Sequence, residues 1–299
     1  MPLTIAPPGA KILVLRPNSG VSGDMLVAGL SRLLDLSQAD LDEFLSRLNL
    51  PNLRGRVHLT RPRRDSLVGH GLAMDLPPET DHRHLAQIRE FFAAADLPER
   101  ARELALAAFS LLAEAEGSVH GLDPEEVHFH EVGALDSLLD MGLAALMYDR
   151  LSPARFVCGP LPLCDGVIKS AHGLLSSPAP AVAYLLQGTM VKGLESQGET
   201  VTPTALALLK TFGAEFGPWP AMTLESQALV YGSRTLPGVP NGALFAWGSA
   251  LAPGRMTENR PGQPESDPTR GFSLHSHASP PGPADPNGQT APNDPGSPG

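Results

Sequence analysis

The segment 127–140 places two imidazoles and three carboxylates within fourteen residues. His128 and His130 are two residues apart, so on a strand they project from the same face. Asp136 and Asp140 are about one helical turn apart and share a face of a helix. Titratable groups are costly in an apolar core unless they are paired or bind something. The segment therefore predicts a strand that leads into a helix, with a polar site at their junction.

Imidazole and carboxylate are good ligands for a borderline divalent metal such as Ni²⁺ or Zn²⁺. The candidate metal ligands are Asp24, His128, His130, Glu131, Asp136 and Asp140. Of these, His128, His130 and Asp136 are also the candidate catalytic residues. The same pattern fits a solvent-facing strand followed by an aspartate that stabilises a helix start. The spacing lacks the closed signature of a Cys₂His₂ or His-Glu-x-x-His zinc site, so both interpretations stay open.

The chain has 299 residues, of which 42% are apolar and 18% are charged, as is typical of a soluble globular protein. Its net charge of −10 argues against a protein that coats nucleic acid through lysine and arginine. Two cysteines are too few for a disulfide framework, which favours buried free thiols in the cytoplasm. We see neither a signal peptide nor the roughly 18–20 consecutive apolar residues that span a bilayer.

Strand-like and helix-like segments alternate along residues 11–247, which predicts a mixed α/β (α+β) fold with a sheet flanked by helices. The folded region is expected to cover 1–252, with a candidate boundary between two subdomains near 150–165. In 253–299, 18 of 47 residues are proline or glycine, which predicts a disordered tail. The helix patterns cover residues 24–34, 38–48, 84–95, 98–119, 134–150, 180–187 and 204–212.

The motif Ser19-Gly20-Val21-Ser22-Gly23-Asp24 joins a predicted strand to a predicted helix. Backbone amides at such a junction are suited to a phosphate, and Asp24 is suited to a cation that bridges to it. A plain turn with Ser22 as helix cap explains the same residues. Thr204 likewise fits a cap of the helix that follows it. The candidate residues for binding a cofactor or substrate are Ser19, Gly20, Ser22, Gly23, Asp24, His172, Thr202 and Thr204.

Other polar residues allow two interpretations each. His82 and His84 lie just before or at the start of a predicted helix. They are suited either to a functional role, delivering a metal or binding a carboxylate or phosphate of a substrate, or to a polar helix start. His120 and Gly121 fit the end of a helix, because an imidazolium suits the C-terminal dipole and glycine suits a left-handed cap. The alternative for His120 is a role as a ligand. The five arginines within 54–64 fit either a nucleotide anion or a solvated loop.

Several blocks of the chain resemble the LarC family, the pyridinium-3,5-bisthiocarboxylic acid mononucleotide nickel insertion proteins. Their order and spacing agree with that family over about residues 11–248. The blocks are Ser19–Met25, His82–Leu85, Ala113–Gly121, His128–Asp140, His172–Ala181 and Glu199–Thr204.

This resemblance implies an enzyme, a nickel chelatase or cyclometallase-type lyase, in the synthesis of the nickel-pincer cofactor. It would insert nickel into a thiolated pyridinium mononucleotide at the expense of CTP, with manganese or magnesium. Family members continue into a C-terminal domain associated with CTP binding and oligomerisation, where this chain has its Pro/Gly-rich segment. A half-enzyme that needs a separately encoded C-terminal subunit is therefore expected. The alternatives are a non-catalytic nickel chaperone and a scaffold that binds a nucleotide or a partner.

Overall fold

The computed structural model describes residues 7–77, 83–129, 134–170 and 173–252. The strands in these ranges are β1 Lys11–Pro17, β2 Val57–Thr60, β3 Arg63–Arg64, β4 Leu67–Val68, β5 Gly71–Met74, β6 Arg83–His84, β7 His128–Phe129, β8 Arg155–Cys158, β9 Leu161–Leu163, β10 Val167–Ser170, β11 Gly173–Ser176, β12 Val191–Gly193, β13 Glu215–Phe216, β14 Met222–Val230 and β15 Ala243–Ala250.

The α-helices in the same ranges are α1 Gly23–Leu33, α2 Gln38–Arg47, α3 Leu85–Ala94, α4 Glu99–His120, α5 Leu135–Leu151, α6 Pro180–Leu185 and α7 Pro203–Thr211. Short 3₁₀ turns cover Pro51–Leu53 and Pro124–Glu126. Within the described part of the chain, none of the helices combines the length and apolar character needed to cross a membrane.

The central sheet has five strands in the order β13-β8-β1-β15-β14. Strand β1 pairs in parallel with β8 and antiparallel with β15. Strand β13 pairs in parallel with β8, and β14 pairs antiparallel with β15. Strands from both sides of the segment 150–165 thus share one sheet, and the predicted α+β architecture is confirmed.

The two faces of β1 belong to different apolar clusters, because successive side chains of a strand alternate in direction. Leu13 and Leu15 belong to the main core, together with side chains of the helices. Ile12 and Val14 belong to a smaller cluster with residues of β8 and β15. The long helix α4 packs against α3, α5, α6 and α7, which makes it the central helix of the main core.

Long amphipathic elements lie where the sequence pattern predicts them. The helix predicted over 134–150 is α5, Leu135–Leu151, and the one predicted over 98–119 is α4. Gly121 ends α4 with φ of 69°, the left-handed cap predicted for this glycine. Both cysteines are buried and free, as predicted. The predicted tail lies outside the described residues.

Helix α1 lies against the sheet at Gly29, where the packing leaves no room for a side chain. A Cβ at this position would lie 2.6 Å from Cγ of the buried Phe245 ring. We expect Gly29→Ala to lower the free energy of unfolding by about 1–3 kcal/mol, because the ring and the helix must move apart. Urea denaturation measures this change. An unaltered free energy of unfolding would contradict the close packing of α1 on β15.

Candidate functional site

A cavity of about 1210 Å³ lies beside the loop that connects β1 to α1. Typical small-molecule sites measure roughly 300–1000 Å³, so a nucleotide-sized ligand fits this space. Its walls come from the β1–α1 loop, the β2–β5 region, the end of α4, the start of α5, the β10–β11 hairpin and the loops 199–204 and 231–242.

The β1–α1 loop is fixed by backbone hydrogen bonds to the segment before α7. The amide of Val21 donates to the Thr200 carbonyl at 2.8 Å, and the Thr202 amide donates to the Val21 carbonyl at 3.2 Å. The hydroxyl of Ser19 accepts a hydrogen bond from the Gly242 amide at 3.1 Å. Residues far apart in the sequence therefore define the geometry of this loop.

The first turn of α1 carries Asp24 into the cavity wall. Ser22 is at the N-cap position with extended backbone, as predicted, but its side chain makes no capping hydrogen bond. Its hydroxyl instead donates to the carboxylate of Asp24. Burial raises the pKa of Asp24, the hydrogen bond from Ser22 opposes this shift, and the negative charge of Asp136 adds to it.

Asp140 is the most buried acidic group of the cavity wall, with 8% of its surface exposed. Its Oδ1 has no hydrogen-bond partner among the described residues. Its Oδ2 lies against Gly23, where a Cβ would approach this oxygen to 2.2 Å. Burial raises the pKa of Asp140 well above its ordinary value, and the charges of Asp24 and Asp136 raise it further. A backbone hydrogen bond from Asp24 opposes this shift, so Oδ1 is the atom of this carboxyl group that lacks the partner its burial demands.

Asp136 lies one turn before Asp140 in α5, and both residues line the cavity, as their spacing predicts. Its Oδ1 accepts a hydrogen bond from the Ser137 amide at 2.7 Å. Asp24, Asp136 and Asp140 together form what we call the acidic floor of the cavity. In the ranges that the structure describes, no group of three or more histidine, cysteine, aspartate or glutamate side chains is arranged to hold a metal ion.

Two predicted threonines line the cavity at the start of α7. Thr202 is the N-cap, and its hydroxyl accepts a hydrogen bond from the Ala205 amide at 3.3 Å. The interpretation of Thr204 as the cap is wrong, because Pro203 already occupies the first helical position and Thr204 is buried inside the first turn.

Basic side chains also line the cavity, and the sequence analysis did not single out two of them. These are Lys169 on β10 and Arg234, and they join Arg64 from the predicted arginine cluster. Arg234 forms an ion pair with Glu199 at 3.1 Å. Among the described residues, neither Arg64 nor Lys169 makes a salt bridge. The cavity thus combines an acidic floor with what we call the basic rim, formed by Arg64, Lys169 and Arg234.

The end of α4 contributes a further pair of side chains to the cavity wall. His120 lies 3.5 Å from Glu116, one turn earlier in the helix, and both residues line the cavity. The sequence favoured a structural role for His120 over a role as a ligand. The four-residue spacing between Glu116 and His120 was the signal for a shared face at this site.

The predicted histidines do not all lie at the cavity. His128 is exposed and is not among the residues that line it. Its ring instead lies beside that of His84, with the ring centroids 3.7 Å apart. His82, His130, Glu131 and His172 lie outside the described residues.

The cavity is nucleotide-sized and is lined by both carboxylates and basic side chains, a combination that is chemically suited to a cation together with an anionic ligand. The model of the family described as "Nickel insertion protein" matches residues 13–263. The chain therefore belongs to the nickel insertion protein family, and the resemblance found in the sequence is confirmed.

Curated relatives support the same assignment. A "Putative nickel insertion protein" of Pelobacter propionicus is 41% identical over 225 residues, which cover 75% of this chain and 57% of that protein. A protein of Geotalea daltonii with the same name is 37% identical, over 77% of this chain and 59% of its own length. The "Pyridinium-3,5-bisthiocarboxylic acid mononucleotide nickel insertion protein" of Staphylococcus epidermidis is 33% identical, over 75% and 56% respectively.

The region of similarity spans less than two thirds of these relatives' length, between 56% and 59%. No solved structure shows significant similarity to the chain.

Proposed function

We propose that this chain inserts nickel into a pyridinium-3,5-bisthiocarboxylic acid mononucleotide and that the cavity binds both substrates. Family membership and the name of the Staphylococcus epidermidis relative support the reaction. The observation that carries the choice of site is the buried Oδ1 of Asp140, which lacks a described partner in a residue that lines the nucleotide-sized cavity together with Asp24. A divalent cation would supply the missing partner.

The mononucleotide is the anionic ligand in this proposal. Its phosphate is suited to the guanidinium of Arg64 and the ammonium group of Lys169, which line the cavity without a salt bridge to any described residue. The N-terminus of α1, in the part of the cavity wall that also carries Asp24, adds a favourable dipole. The basic rim and the acidic floor would then hold the nucleotide and the nickel ion within one cavity.

Nickel is a substrate in this proposal, and it must leave the protein with the product. The acidic floor would hold the ion through Asp24 and Asp140, and the remaining coordination positions would be filled by water and by the sulfur atoms of the nucleotide. Sulfur is a softer ligand than carboxylate, so the ion is drawn towards the nucleotide. A site with few protein ligands therefore suits transfer better than storage.

The family resemblance implies a product with a carbon–nickel bond, and formation of this bond requires that one ring carbon lose its proton. The C–H electron pair becomes the carbon–nickel bond, a water ligand leaves the nickel, and the proton passes to a carboxylate of the acidic floor. Asp24 and Asp140 hold the metal in this proposal, so Asp136 is the neighbouring carboxylate that would accept the proton.

We further propose that a separate subunit, similar to the part of the relatives outside the match, carries the step with CTP and manganese or magnesium. The match covers only 56% to 59% of three relatives. We also propose that the chain acts in the cytoplasm. The roles predicted for His130 as a metal ligand and catalytic residue, for Glu131 as a metal ligand and for His172 in binding a cofactor or substrate belong to the same proposal.

Incubation with nickel, the thiolated mononucleotide, CTP and manganese tests this proposal. We expect the nickel–nucleotide product, measured by mass spectrometry, when the C-terminal region of a relative is added. Product from the chain alone would overturn the requirement for a second subunit and leave the reaction intact. Nickel binding without product under either condition would contradict insertion and support a nickel chaperone.

A further inference from the structure

Two histidines that are far apart in the sequence meet on the surface of the protein. Strands β6 and β7 pair antiparallel, and their register places His84 directly opposite His128. The centroids of the two imidazole rings are 3.7 Å apart, and the ring planes are inclined by 56°. Both rings therefore lie on the same side of this two-stranded ribbon.

The backbone beneath this histidine pair is held in place from two directions. Val127 and Phe129 flank His128 and are buried in the main core, which directs His128 outwards. Close to β6, Arg89 of α3 donates two hydrogen bonds of 2.6 Å to the carboxylate of Glu125, just before β7. The rings are thus positioned before any ligand binds, which reduces the entropy cost of binding.

Two adjacent imidazoles have the chemistry of a metal site. A neutral imidazole is a good ligand for nickel, zinc and copper, and two rings on paired strands can bind one ion together. The exposed carboxylates of Asp123 and Glu126 precede β7 and favour the approach of a cation. Two protein ligands leave most coordination positions to water, so the ion can exchange readily.

We infer that His84 and His128 form a surface site that captures Ni²⁺ before it reaches the cavity. The choice of nickel rests on the proposed function, whereas the binding of a divalent metal rests on the geometry of the pair. Neither ring lines the cavity, so capture at the histidine pair and insertion at the acidic floor are separate steps.

Isothermal titration of the full chain with NiCl₂, without nucleotide, tests this site. We expect His84→Ala and His128→Ala each to weaken binding of one Ni²⁺ by about tenfold, because each removes one of two ligands. His58→Ala is the matched control, because His58 is an exposed histidine on β2 outside the cavity. We expect this control to bind nickel like the unmodified chain.

Unchanged nickel affinity in the double variant His84→Ala/His128→Ala would overturn the inference. If the variants do not fold, crystals of the unmodified chain soaked in NiCl₂ give the answer, through an anomalous peak between the two rings or its absence. The proposed function fails differently, through absence of the nickel–nucleotide product when the unmodified chain is incubated together with the C-terminal region of a relative. A chain that forms product with no nickel at the histidine pair would retain the function and exclude the capture site.

Discussion

Replacing Asp140 by asparagine is expected to reduce nickel insertion by about 100-fold while making the folded chain more stable. The loss of activity follows because the amide cannot carry the negative charge that a cation at the acidic floor requires. The gain in stability, roughly 1 kcal/mol at neutral pH, follows because a buried carboxyl with an unpartnered oxygen is replaced by a neutral group of the same shape. The insertion assay and urea denaturation measure the two effects.

The stability effect of this substitution depends on pH with a defined sign. Burial and two neighbouring carboxylates raise the pKa of Asp140 in the folded chain. Between the pKa of an unfolded aspartate, about 3.9, and this raised value, the folded chain keeps a proton that the unfolded chain has lost. The stability of the unmodified chain therefore falls as the pH rises through this window. The gain in the free energy of unfolding from Asp140→Asn should be small near the pKa of an unfolded aspartate, and it should grow as the pH rises towards neutral.

Asp149→Asn provides the matched control for this prediction. Asp149 lies on the same helix α5, near its end, 3.6 Å from Arg100 and away from the cavity. We expect the control to retain full insertion activity and to change the free energy of unfolding by less than about 0.5 kcal/mol. Wild-type activity in Asp140→Asn would contradict the proposed role of the acidic floor. Equal pH dependence of both variants would contradict the raised pKa.

The sequence predicted the carboxylates of the site better than its histidines, and the reason is local periodicity. Asp136 and Asp140 belong to one long helix, whose pattern determines which residues share a face. The partner of His128 is His84, on another strand of only two residues. A strand of this length has no alternation to detect, and its pairing depends on how α3 and the turn before β7 pack in the tertiary structure.

The walls of the cavity depend on the tertiary structure in the same way. The sequence indicated a turn or phosphate loop at Ser19–Asp24, but not that the Thr200 carbonyl would lie against it. Lys169 and Arg234 carry no local signal, because isolated basic residues on hairpins and loops are common on any surface. The positions of the helices therefore followed from the sequence, whereas the convergence of acidic and basic groups on one cavity did not.

The contact between the β1–α1 loop and Thr200 gives the second large prediction, Gly20→Ala. Gly20 has φ of 147°, a conformation that side-chain-bearing residues rarely adopt, and a Cβ there would lie 2.1 Å from the Thr200 carbonyl oxygen. That oxygen accepts the hydrogen bond from Val21 and belongs to the backbone, so it cannot move without breaking the contact. We expect a loss of about 3–5 kcal/mol in the free energy of unfolding, from backbone strain and steric overlap together.

Gly166→Ala separates these two causes, because Gly166 has a similar φ of 124° and no atom within 4 Å of a Cβ. This control should show only the cost of the strained backbone, about 1–3 kcal/mol. Thermal unfolding measured by calorimetry should therefore place Gly20→Ala well below Gly166→Ala in Tm. Equal losses in the two variants would mean that the loop can move away from Thr200 at little cost. The position of Asp24 at the cavity wall would then not depend on this contact.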